Sequence, residues 1–398
     1  MTSGSRLRLA RQARGLSQQQ LAGMAAVTRQ AVSAVESGQS DPSLRVALAL
    51  AGALGMTVEE LFGSQATEPA VTALLVPGAS GPAGPGASGR RVTLAPIGES
   101  LVALPLSGPT VSRAGFVAAG GLVADLAGTA RPRSARTARP RSAGTARPRS
   151  AGPLRPGPVV GAVVEVRPIG PPRPTRVVAG CDPALPLLEQ PLGLLDPPIA
   201  LSWWPCSSRE ALRLAAAGLV HAAGVHGLAG DAGDALPGGG EVIGFSAWRE
   251  GLVLRPDTAA ANVAEAVRQG LRLVNREPGA EARRVLDQEL ARAGVDAGSV
   301  PGYHTCTAGH LQVAEAIAAG LADAGIATEP AALAHGLAFV PLEAERFDLV
   351  IPAATTASRE AQALVKVLSS RWLLDQLASL PGYDPAPCGQ QVGAWPGR

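Results

Sequence analysis

The amino-acid sequence predicts a multidomain protein in which an all-α domain over residues 1–66 is followed by a β-rich connector over 67–176 and an α/β domain over 177–398. Three observations lead to this prediction. Near the N-terminus, apolar residues recur every three to four positions, which is the period of amphipathic helices. Short apolar runs between clusters of Gly, Pro and Ser follow, as in strands. Beyond residue 176, strand-like and helix-like segments alternate, which favours a largely parallel sheet.

Five short helices are predicted in the N-terminal domain. The first begins near Leu7 and stops at Gly15. Ser17 caps the second helix, and Gln20 three residues later completes a capping-box pattern. Hydroxyl residues also open the three remaining helices, at Thr28, Ser43 and Thr57. The connections are short, so a compact helical domain is expected.

The connector is predicted to hold strands at Arg91–Leu94, Leu101–Leu104 and Val159–Val166. Within it, an eight-residue unit, GTARPRSA or RTARPRSA, occurs three times over 128–151 and carries seven Arg and no acid. Solenoid repeats have periods of about 20 residues or more and an apolar face for stacking, which this unit lacks. We therefore expect a solvated, extended spacer. The alternative is that its Arg residues add sequence-independent affinity for DNA.

The formal net charge of +3 hides an uneven distribution. Residues 1–63 carry +2, residues 64–176 carry +10 and residues 177–398 carry −9. A polyanionic partner is therefore favoured for the N-terminal half alone. Because seven of its positive charges belong to the repeat, bulk charge is a weak argument for nucleic-acid binding.

Cysteine usage and hydropathy predict a soluble cytoplasmic protein without a membrane partner. The four cysteines, at positions 181, 206, 306 and 388, form no CxxC pair. The N-terminus lacks the basic segment and apolar core of a secretion signal. Apolar runs such as Val46 to Leu54 are shorter than the ~20 residues that a membrane helix needs.

The C-terminal domain is predicted to alternate strands and helices. The strand candidates are Arg176–Ala179, His221–Val225, Val242–Phe245, Leu252–Leu254, Leu271–Val274 and Leu337–Val340. Helices are expected to start at Pro183, Ser207, Asn262, Ala280, His310, Pro330 and Ala357. Ligands of such folds sit at the loops that lead from strands into helices, where free backbone N–H groups accumulate.

Two short helices joined by a tight turn, the second exposing Arg and Gln, suit a helix-turn-helix. The segment LSQQQLAGMAAVTRQAVSAVESGQSDPSL, residues 16–44, closely resembles the Xre and lambda-repressor-like family. The resemblance spans residues 5–63 and implies that Glu36 ties the recognition helix to its neighbours. The alternative for this domain is a helical protein-interaction module with an exposed polar helix.

The same resemblance implies which residues contact operator DNA. Gln18 is expected at a phosphate. Arg29 suits the O6 and N7 atoms of guanine, and Gln30 suits the N6 and N7 atoms of adenine. The base-reading set is Thr28, Arg29, Gln30 and Ser33, and the further phosphate candidates are Ser37, Gln39 and Ser43. A net charge of +2 implies modest affinity for each domain, so a homodimer on double-stranded DNA is expected.

The C-terminal half resembles the periplasmic-binding-protein-like domain of bacterial regulators linked to molybdate and molybdenum-cofactor metabolism. The segments that carry the resemblance include VVAGCDPAL, LVNREPGAEARRVLD and PGYHTCTAGHLQVAEAIAAGLADAGIA. The family implies two lobes with a ligand cleft between them, crossed at Trp248–Gly251 and at Glu343–Asp348. The cleft candidates are Cys181, Asp182, Ser207, Ser208, Arg249, Asn275, Arg276 and Arg283.

Molybdate, tungstate or a molybdenum-cofactor-related compound is the ligand that the resemblance implies. In many relatives the loop after the Asn-Arg pair carries hydroxyl residues that suit an oxyanion. Here the loop reads Pro278-Gly279-Ala280-Glu281-Ala282. The missing hydroxyls and the added carboxylate disfavour a tetrahedral oxyanion.

No cofactor and no metal ion is expected. The pattern His304-x-Cys306-x3-His310 offers metal-ligand residue types, but a tetrahedral zinc site needs a fourth partner, so a hydrogen-bonded loop is preferred. A redox role for Cys181 and a hydrolase built on Ser207 are weaker alternatives. Without a nucleophile or acid–base constellation, the chain is not expected to be an enzyme.

The sequence therefore predicts a one-component transcriptional regulator whose C-terminal domain senses a small ligand and thereby changes dimer geometry. The alternative is a small-molecule-binding protein of molybdenum-cofactor biosynthesis in which the DNA-binding domain is vestigial.

Overall fold

The computed structural model describes residues 3–62, 69–77, 89–107, 116–124, 161–170, 174–226 and 236–397. The Arg/Pro repeat over 128–151 lies outside these ranges. The chain forms two compact units, Met1–Ala70 and Val71–Arg398. Within the described residues, no helix combines the length and the apolar character needed to cross a membrane.

The first unit is helical. Its helices are α1 (Ser3–Ala13), α2 (Gln18–Met24), α3 (Arg29–Glu36), α4 (Leu44–Ala53) and α5 (Val58–Phe62). Ser17 caps α2 in the predicted capping box, with both reciprocal hydrogen bonds present. The helices pack their apolar faces on one core, formed by Leu7, Leu21, Ala22, Ala25, Val32, Val35, Leu50, Ala51, Leu54 and Leu61.

The second unit begins with a small closed barrel. Its strands are β1 (Val71–Leu75), β2 (Arg91–Ile97), β3 (Ser100–Pro105), β4 (Gly121–Val123) and β5 (Ala162–Pro168), in the order β1-β3-β2-β4-β5. Alternate side chains point inward, as the two-residue period of a strand requires. Leu75, Val92, Val123 and Val166 lie in the barrel interior.

The remaining strands form a nine-stranded sheet in the order β11-β10-β12-β9-β13-β8-β6-β7, with β14 paired to β9. Their bounds are β6 (Thr175–Ala179), β7 (Ala200–Trp204), β8 (Ala222–His226), β9 (Gly240–Leu254), β10 (Leu273–Arg276), β11 (Cys306–Thr307), β12 (Ala324–Thr328), β13 (Ala338–Pro352) and β14 (Gln391–Trp395).

Nine further α-helices are found among the described residues of the second unit, mostly on the two faces of this sheet. They are α6 (Glu189–Gly193), α7 (Ser208–Ala216), α8 (Val263–Arg268), α9 (Glu281–Arg292), α10 (His310–Ala318), α11 (Glu329–Ala334), α12 (Ala353–Thr356), α13 (Arg359–Leu368) and α14 (Arg371–Ala378). Two 3₁₀ turns occur at Leu185–Leu188 and Ala297–Ser299. All seven predicted helix starts lie within two residues of an observed helix or 3₁₀ turn.

Two long antiparallel strands, β9 and β13, run through both halves of the sheet and divide it into two lobes. The first lobe holds the parallel strands β6, β7 and β8 together with β14, and the second holds β10, β11 and β12. The predicted strands Val242–Phe245 and Leu252–Leu254 are parts of β9, so the sheet is mixed rather than largely parallel. Arg249 and Glu250, which lie between the two predicted strands, alternate between exposed and buried positions, as within a strand.

His221 links the barrel to the first lobe. Its Nδ1 accepts a hydrogen bond from the Val177 N–H at 3.0 Å, and its Nε2 lies 3.1 Å from the carbonyl oxygen of Pro96 in β2. Burial, together with the nearby Arg176 guanidinium, lowers the pKa of His221 to about 3. The imidazole is therefore neutral at pH 7 and satisfies both contacts.

We expect the second unit to lose stability as the pH falls below about 6.5, the ordinary pKa of histidine in an unfolded chain. There the unfolded chain binds a proton that the folded chain does not, so unfolding is favoured. At pH 5.5 the loss from His221 is on the order of 1 kcal/mol. Urea unfolding of the wild type and of His221→Gln at pH 7.5 and 5.5 measures this loss. If the difference in free energy of unfolding between the two proteins is the same at both pH values, the expectation is contradicted.

Candidate functional site

The exposed N-terminal part of α3 is the candidate DNA-reading surface. Thr28 caps the helix, and its Oγ1 accepts a hydrogen bond from the Ala31 N–H at 3.1 Å. Arg29, Gln30 and Ser33 are exposed on the first turns. The turn between α2 and α3 is tight, with Ala26 at a φ of 51°. The side chains of Arg29, Gln30 and Ser33 make no hydrogen bond to the described part of the protein, so they are accessible to a ligand.

Glu36 holds α1, α2 and α3 together, which is the contact that the resemblance implies. Its carboxylate accepts hydrogen bonds from Arg11 Nε at 2.6 Å, from Arg11 Nη2 at 3.1 Å and from Gln18 Nε2 at 2.9 Å. Burial raises the pKa of Glu36, but the Arg11 and Gln18 hydrogen bonds outweigh it, so the pKa is lowered. Gln18, predicted at a phosphate, is thus oriented by Glu36.

The remaining phosphate candidates are exposed and lie around the end of α3 and the start of α4. Ser37 Oγ donates a hydrogen bond to the Ala34 carbonyl at 3.1 Å. Ser43 caps α4 through the Val46 N–H. Gln39 lies in the intervening loop. Their hydroxyl and amide groups remain accessible to a ligand.

A second candidate site lies between the two lobes of the C-terminal domain. The carboxyl ends of β6 and β8 in the first lobe and of β10 in the second lobe meet there, which is where α/β folds bind ligands. Cys181 and Asp182 follow β6, His226 ends β8 and Arg276 ends β10. His310 opens α10 on the opposite side. A cavity of about 40 Å³ lies beside these residues, and its lining includes Cys181, Trp203, Cys206, Arg276, Glu277 and His310.

Several predicted cleft residues meet at this site. Cys181 is 7% exposed, and Asn275 and Arg276 are each 2% exposed. Asn275 Oδ1 accepts a hydrogen bond from the Arg276 N–H at 2.8 Å. Arg276 forms an ion pair with Glu277 at 2.8 Å, while its Nη1 has no hydrogen-bond partner among the described residues.

Asp182, Ser207 and Ser208 make local contacts near the cleft. Asp182 is fully buried and accepts hydrogen bonds from Tyr383 Oη at 2.7 Å and from Ser246 Oγ at 2.9 Å. Burial raises its pKa. Ser207 caps α7, and Ser208 Oγ accepts a hydrogen bond from the His226 N–H at 3.2 Å. These contacts order the walls of the site.

Two predicted cleft residues point to other partners. Arg249 has a side chain that is 55% exposed, and its Nε donates a hydrogen bond to Glu329 at 2.7 Å. Arg283 Nη1 donates to the Arg276 carbonyl at 3.0 Å, and its guanidinium lies 4.8 Å from the centre of the Tyr303 ring. Arg283 therefore stabilises the loop behind the site.

Three ionisable residues that the sequence interpretation did not select lie at the centre of the site: His226, Glu250 and Glu345. His226 Nε2 is 2.9 Å from Cys181 Sγ, and His226 Nδ1 is 3.4 Å from Glu345 Oε2. Glu250 in β9 is fully buried, and its Oε1 lies 3.7 Å from His310 Nδ1. The sequence contained one indication of this cluster, because Glu250 and Glu345 lie within the two predicted crossing segments.

Burial and mutual charge perturb these groups strongly. Burial lowers the pKa of His226, but Cys181, Glu345 and Glu250 outweigh it and raise the pKa well above its ordinary value. Burial raises the pKa of Glu250 to about 7. Burial, Arg276 and His226 lower the pKa of His310 well below its ordinary value. The site thus contains groups whose charges depend on one another.

Only His310 of the sequence pattern His304-x-Cys306-x3-His310 belongs to this cluster. His304 and Cys306 are exposed, and Cys306 Sγ lies 3.6 Å from the His304 carbonyl. Cys306 also approaches Arg283 Nη1 at 3.5 Å. The three residues therefore do not converge, because the loop carries the first two away from the cleft.

Two family models match separate parts of the chain. Residues 7–61 match the helix-turn-helix family, and residues 192–369 match the PBP superfamily domain. An uncharacterized protein in the ferredoxin 2Fe-2S gene 5' region of Clostridium pasteurianum is 32% identical over 109 residues, 27% of this chain and 96% of that protein. The uncharacterized protein YvgK of Bacillus subtilis is 32% identical over 125 residues. The alignment covers 31% of this chain and only 40% of YvgK.

Among solved structures, the restriction-modification controller protein C.AhdI from Aeromonas hydrophila is 47% identical to the matched part of this chain. The match covers 15% of this chain and 91% of the controller protein, with a TM-score of 0.15. The two family matches describe a helix-turn-helix domain joined to a binding-protein-like domain, which is a non-enzymatic architecture.

Proposed function

Because this chain belongs to one family with the Clostridium pasteurianum protein and joins a helix-turn-helix domain to a PBP superfamily domain, we propose that it is a ligand-sensing transcriptional regulator. The N-terminal unit binds operator DNA in the cytoplasm, and the interlobe site binds a small ligand that changes this binding. The observation that carries the proposal is the presence, in one chain, of an exposed polar recognition helix and a buried polar cleft.

The recognition surface supports DNA binding. Arg29 and Gln30 are side chains that pair in a bidentate manner with guanine and adenine edges. Both lie on the first turn of α3, and Ser33 follows one turn later. We propose that the bases are contacted by Thr28, Arg29, Gln30 and Ser33. Gln18, Ser37, Gln39 and Ser43 then position the domain on phosphates.

A homodimer is part of the proposal. One helix-turn-helix domain covers a single half-site, and two recognition helices must sit about 34 Å apart to enter successive major grooves. A change in lobe closure alters the geometry of the dimer and thereby its affinity for the operator. Each lobe carries its own apolar core and contributes to the cleft, which supports a hinge-type closure.

The interlobe site supports ligand sensing because several of its buried polar atoms have no protein partner. Both carboxylate oxygens of Glu250, both ring nitrogens of His310 and Nη1 of Arg276 are buried without hydrogen-bond partners among the described residues. Each such group costs roughly 1–3 kcal/mol, so most buried polar groups in native proteins are paired. A ligand that satisfies them is strongly favoured.

Molybdate, tungstate or a related compound is the finer candidate that the family resemblance implies. The unpartnered Nη1 of Arg276 favours it, since guanidinium groups bind oxyanions. The carboxylates of Glu250 and Glu345 at the same site oppose it, because a dianion would lie against two acids. The site therefore fits a tetrahedral oxyanion less well than a ligand that carries positive charge.

A selection experiment tests the proposed function. The folded full-length chain is incubated with a pool of random DNA duplexes, and the bound fraction is sequenced. We expect enrichment of one sequence with two similar half-sites. A chain that enriches no sequence, yet is stabilised against heat by a small molecule, would instead indicate a binding protein with a vestigial DNA domain.

A further inference from the structure

We propose that Cys181, His226 and His310 form a binding site for a divalent transition-metal ion, with zinc as the best match, in the cleft between the two lobes. The proposal rests on the proposed function in one respect, since it names the ligand class of the same site. Thiolate and imidazole are the ligands that zinc prefers in proteins.

The geometry is close to that of a metal site. One ligand atom from each of the three residues lies within 4.8 Å of the other two. Bond lengths of about 2.3 Å to sulfur and 2.0–2.1 Å to nitrogen place tetrahedral ligand atoms about 3.3–3.6 Å apart. To bind one ion, Cys181 Sγ and His226 Nε2, which are 2.9 Å apart, would separate by about 0.6 Å, and a pair near the 4.8 Å limit would approach by about 1 Å.

Each histidine has a carboxylate behind its Nδ1 atom. Glu345 Oε2 lies 3.4 Å from His226 Nδ1, and Glu250 Oε1 lies 3.7 Å from His310 Nδ1. Such carboxylates fix the orientation of metal-binding histidines and leave Nε2 for the ion. His226 Nε2 already faces Cys181 Sγ at 2.9 Å. Each histidine thus has a carboxylate oxygen within 4 Å of Nδ1, at ion-pair distance and on the side away from the ion.

The unpartnered state of His310 is an independent indication of a ligand. The residue is 1% exposed, and neither of its ring nitrogens has a hydrogen-bond partner among the described residues. A core histidine with a structural role has partners, as His221 does at both nitrogens. A metal ion would satisfy Nε2 of His310, while Nδ1 lies 3.7 Å from Glu250 Oε1.

The local charge favours a cation. Glu250 and Glu345 add negative charge at the site, and a metal-bound Cys181 would be a thiolate. Arg276, a buried cation close to the site, is paired with Glu277, and Arg284 is paired with Glu281 and Glu343 and lies 3.9 Å from Glu345. Among the described residues Glu250 has an ion-pair contact to His310 alone, so its carboxylate is the one available to balance a divalent ion.

The site also explains how a metal ion would act on the fold. Cys181 and His226 belong to the first lobe, whereas His310 belongs to the second. An ion bound to all three crosslinks the lobes and holds them closed. The three protein ligands leave a fourth tetrahedral position, which water from the neighbouring cavity can occupy.

The test is zinc binding by the full-length chain after removal of metals with a chelator. We expect one zinc ion per chain by calorimetry, and a thiolate-to-cobalt charge-transfer band when cobalt replaces zinc. Cys181→Ser and His310→Gln should each abolish that stoichiometric binding, and Cys181→Ser should abolish the band. Glu345→Gln should weaken zinc binding about 10- to 100-fold.

Matched controls are the exposed residues of the sequence pattern, Cys306→Ser and His304→Gln, which should bind zinc like the wild type. Thermal unfolding verifies that each variant is folded. A folded wild type that binds no zinc, or variants of Cys181 and His310 that retain full binding, would overturn the metal site. So would loss of zinc binding only on substitution of Cys306 or His304.

Failure of the metal site and failure of the proposed function are distinguishable. If zinc does not bind but molybdate alters the affinity for the selected duplex, the metal site is wrong and the sensor stands. If zinc binds as expected but the metal-free chain selects no duplex, the metal site stands and the regulator is wrong.

Discussion

Replacing Arg29 and Gln30 together by alanine is expected to abolish the preference of this protein for its operator. Each bidentate contact to a base contributes about 1–3 kcal/mol of discrimination, so losing both weakens specific binding by at least about 30-fold. Binding to unrelated DNA should fall far less, since a single positive charge is removed. Fluorescence anisotropy with the selected duplex and a scrambled duplex, at one fixed salt concentration, measures both effects.

A matched control removes the same two side-chain types elsewhere in the helical unit. Gln12 and Arg14 are exposed at the end of α1, and their joint replacement by alanine removes the same charge. This variant should retain the specificity of the wild type. Equal loss of specificity in both variants would show that α3 does not read the bases.

Replacing Glu36 by glutamine is expected to destabilise the helical unit by about 3 kcal/mol, because it breaks a buried ion pair. The Glu36 side chain is 1% exposed and that of Arg11 is 11% exposed, so solvent screens the pair weakly. The amide cannot accept all the hydrogen bonds that Arg11 and Gln18 donate to the carboxylate. Hydrogen exchange of peptides from residues 7–61, followed by mass spectrometry, measures local opening in the full-length chain.

The ion pair also predicts how acid affects this unit. Because the folded pKa of Glu36 is lowered, its contribution is complete above the unfolded value near 4.3 and is lost as the pH falls through the folded value. Glu36→Gln should remove this acid dependence. The exposed Asp41→Asn is the matched control and should exchange like the wild type. Unchanged exchange in Glu36→Gln would contradict a structural role for the carboxylate.

The sequence was most informative where local signals decide the structure. Capping side chains at Ser17, Thr28 and Ser43 locate helix starts because each satisfies a backbone N–H within its own first turn. The boundaries between strands and helices likewise located Cys181 and Asp182, which follow β6, and Asn275 and Arg276, which end β10. These signals act over a few residues and need no tertiary information.

The centre of the interlobe site could not be predicted in the same way. Glu250 and Glu345 meet because β9 and β13 pair antiparallel over their whole length, with Glu343 opposite Glu250 and Trp248 opposite Glu345. Such pairing joins residues about a hundred positions apart, and a register shift near Pro341 sets which side chains face the cleft. His226 lies one residue beyond the predicted end of its strand. The histidine–carboxylate cluster is thus a product of tertiary structure.

The closed barrel was likewise beyond local patterns. Its strands were recognisable as short apolar runs, but closure requires β1 to pair with β3 in parallel and with β5 antiparallel. Neither pairing is specified by a tight turn, which is the signal that identifies neighbouring strands in a sequence. The sequence therefore predicted that this part is rich in β-strands, but it did not predict how the strands pair.

The measurement that tests the central claim most directly is the affinity of the full-length protein for its selected duplex in metal-free and zinc-loaded forms. If occupation of the cleft controls DNA binding, the two affinities should differ by about 5- to 150-fold, the usual range of allosteric coupling. Cys181→Ser should give one affinity under both conditions. Equal affinities for the metal-free and zinc-loaded wild type would contradict coupling between the cleft and the recognition helix.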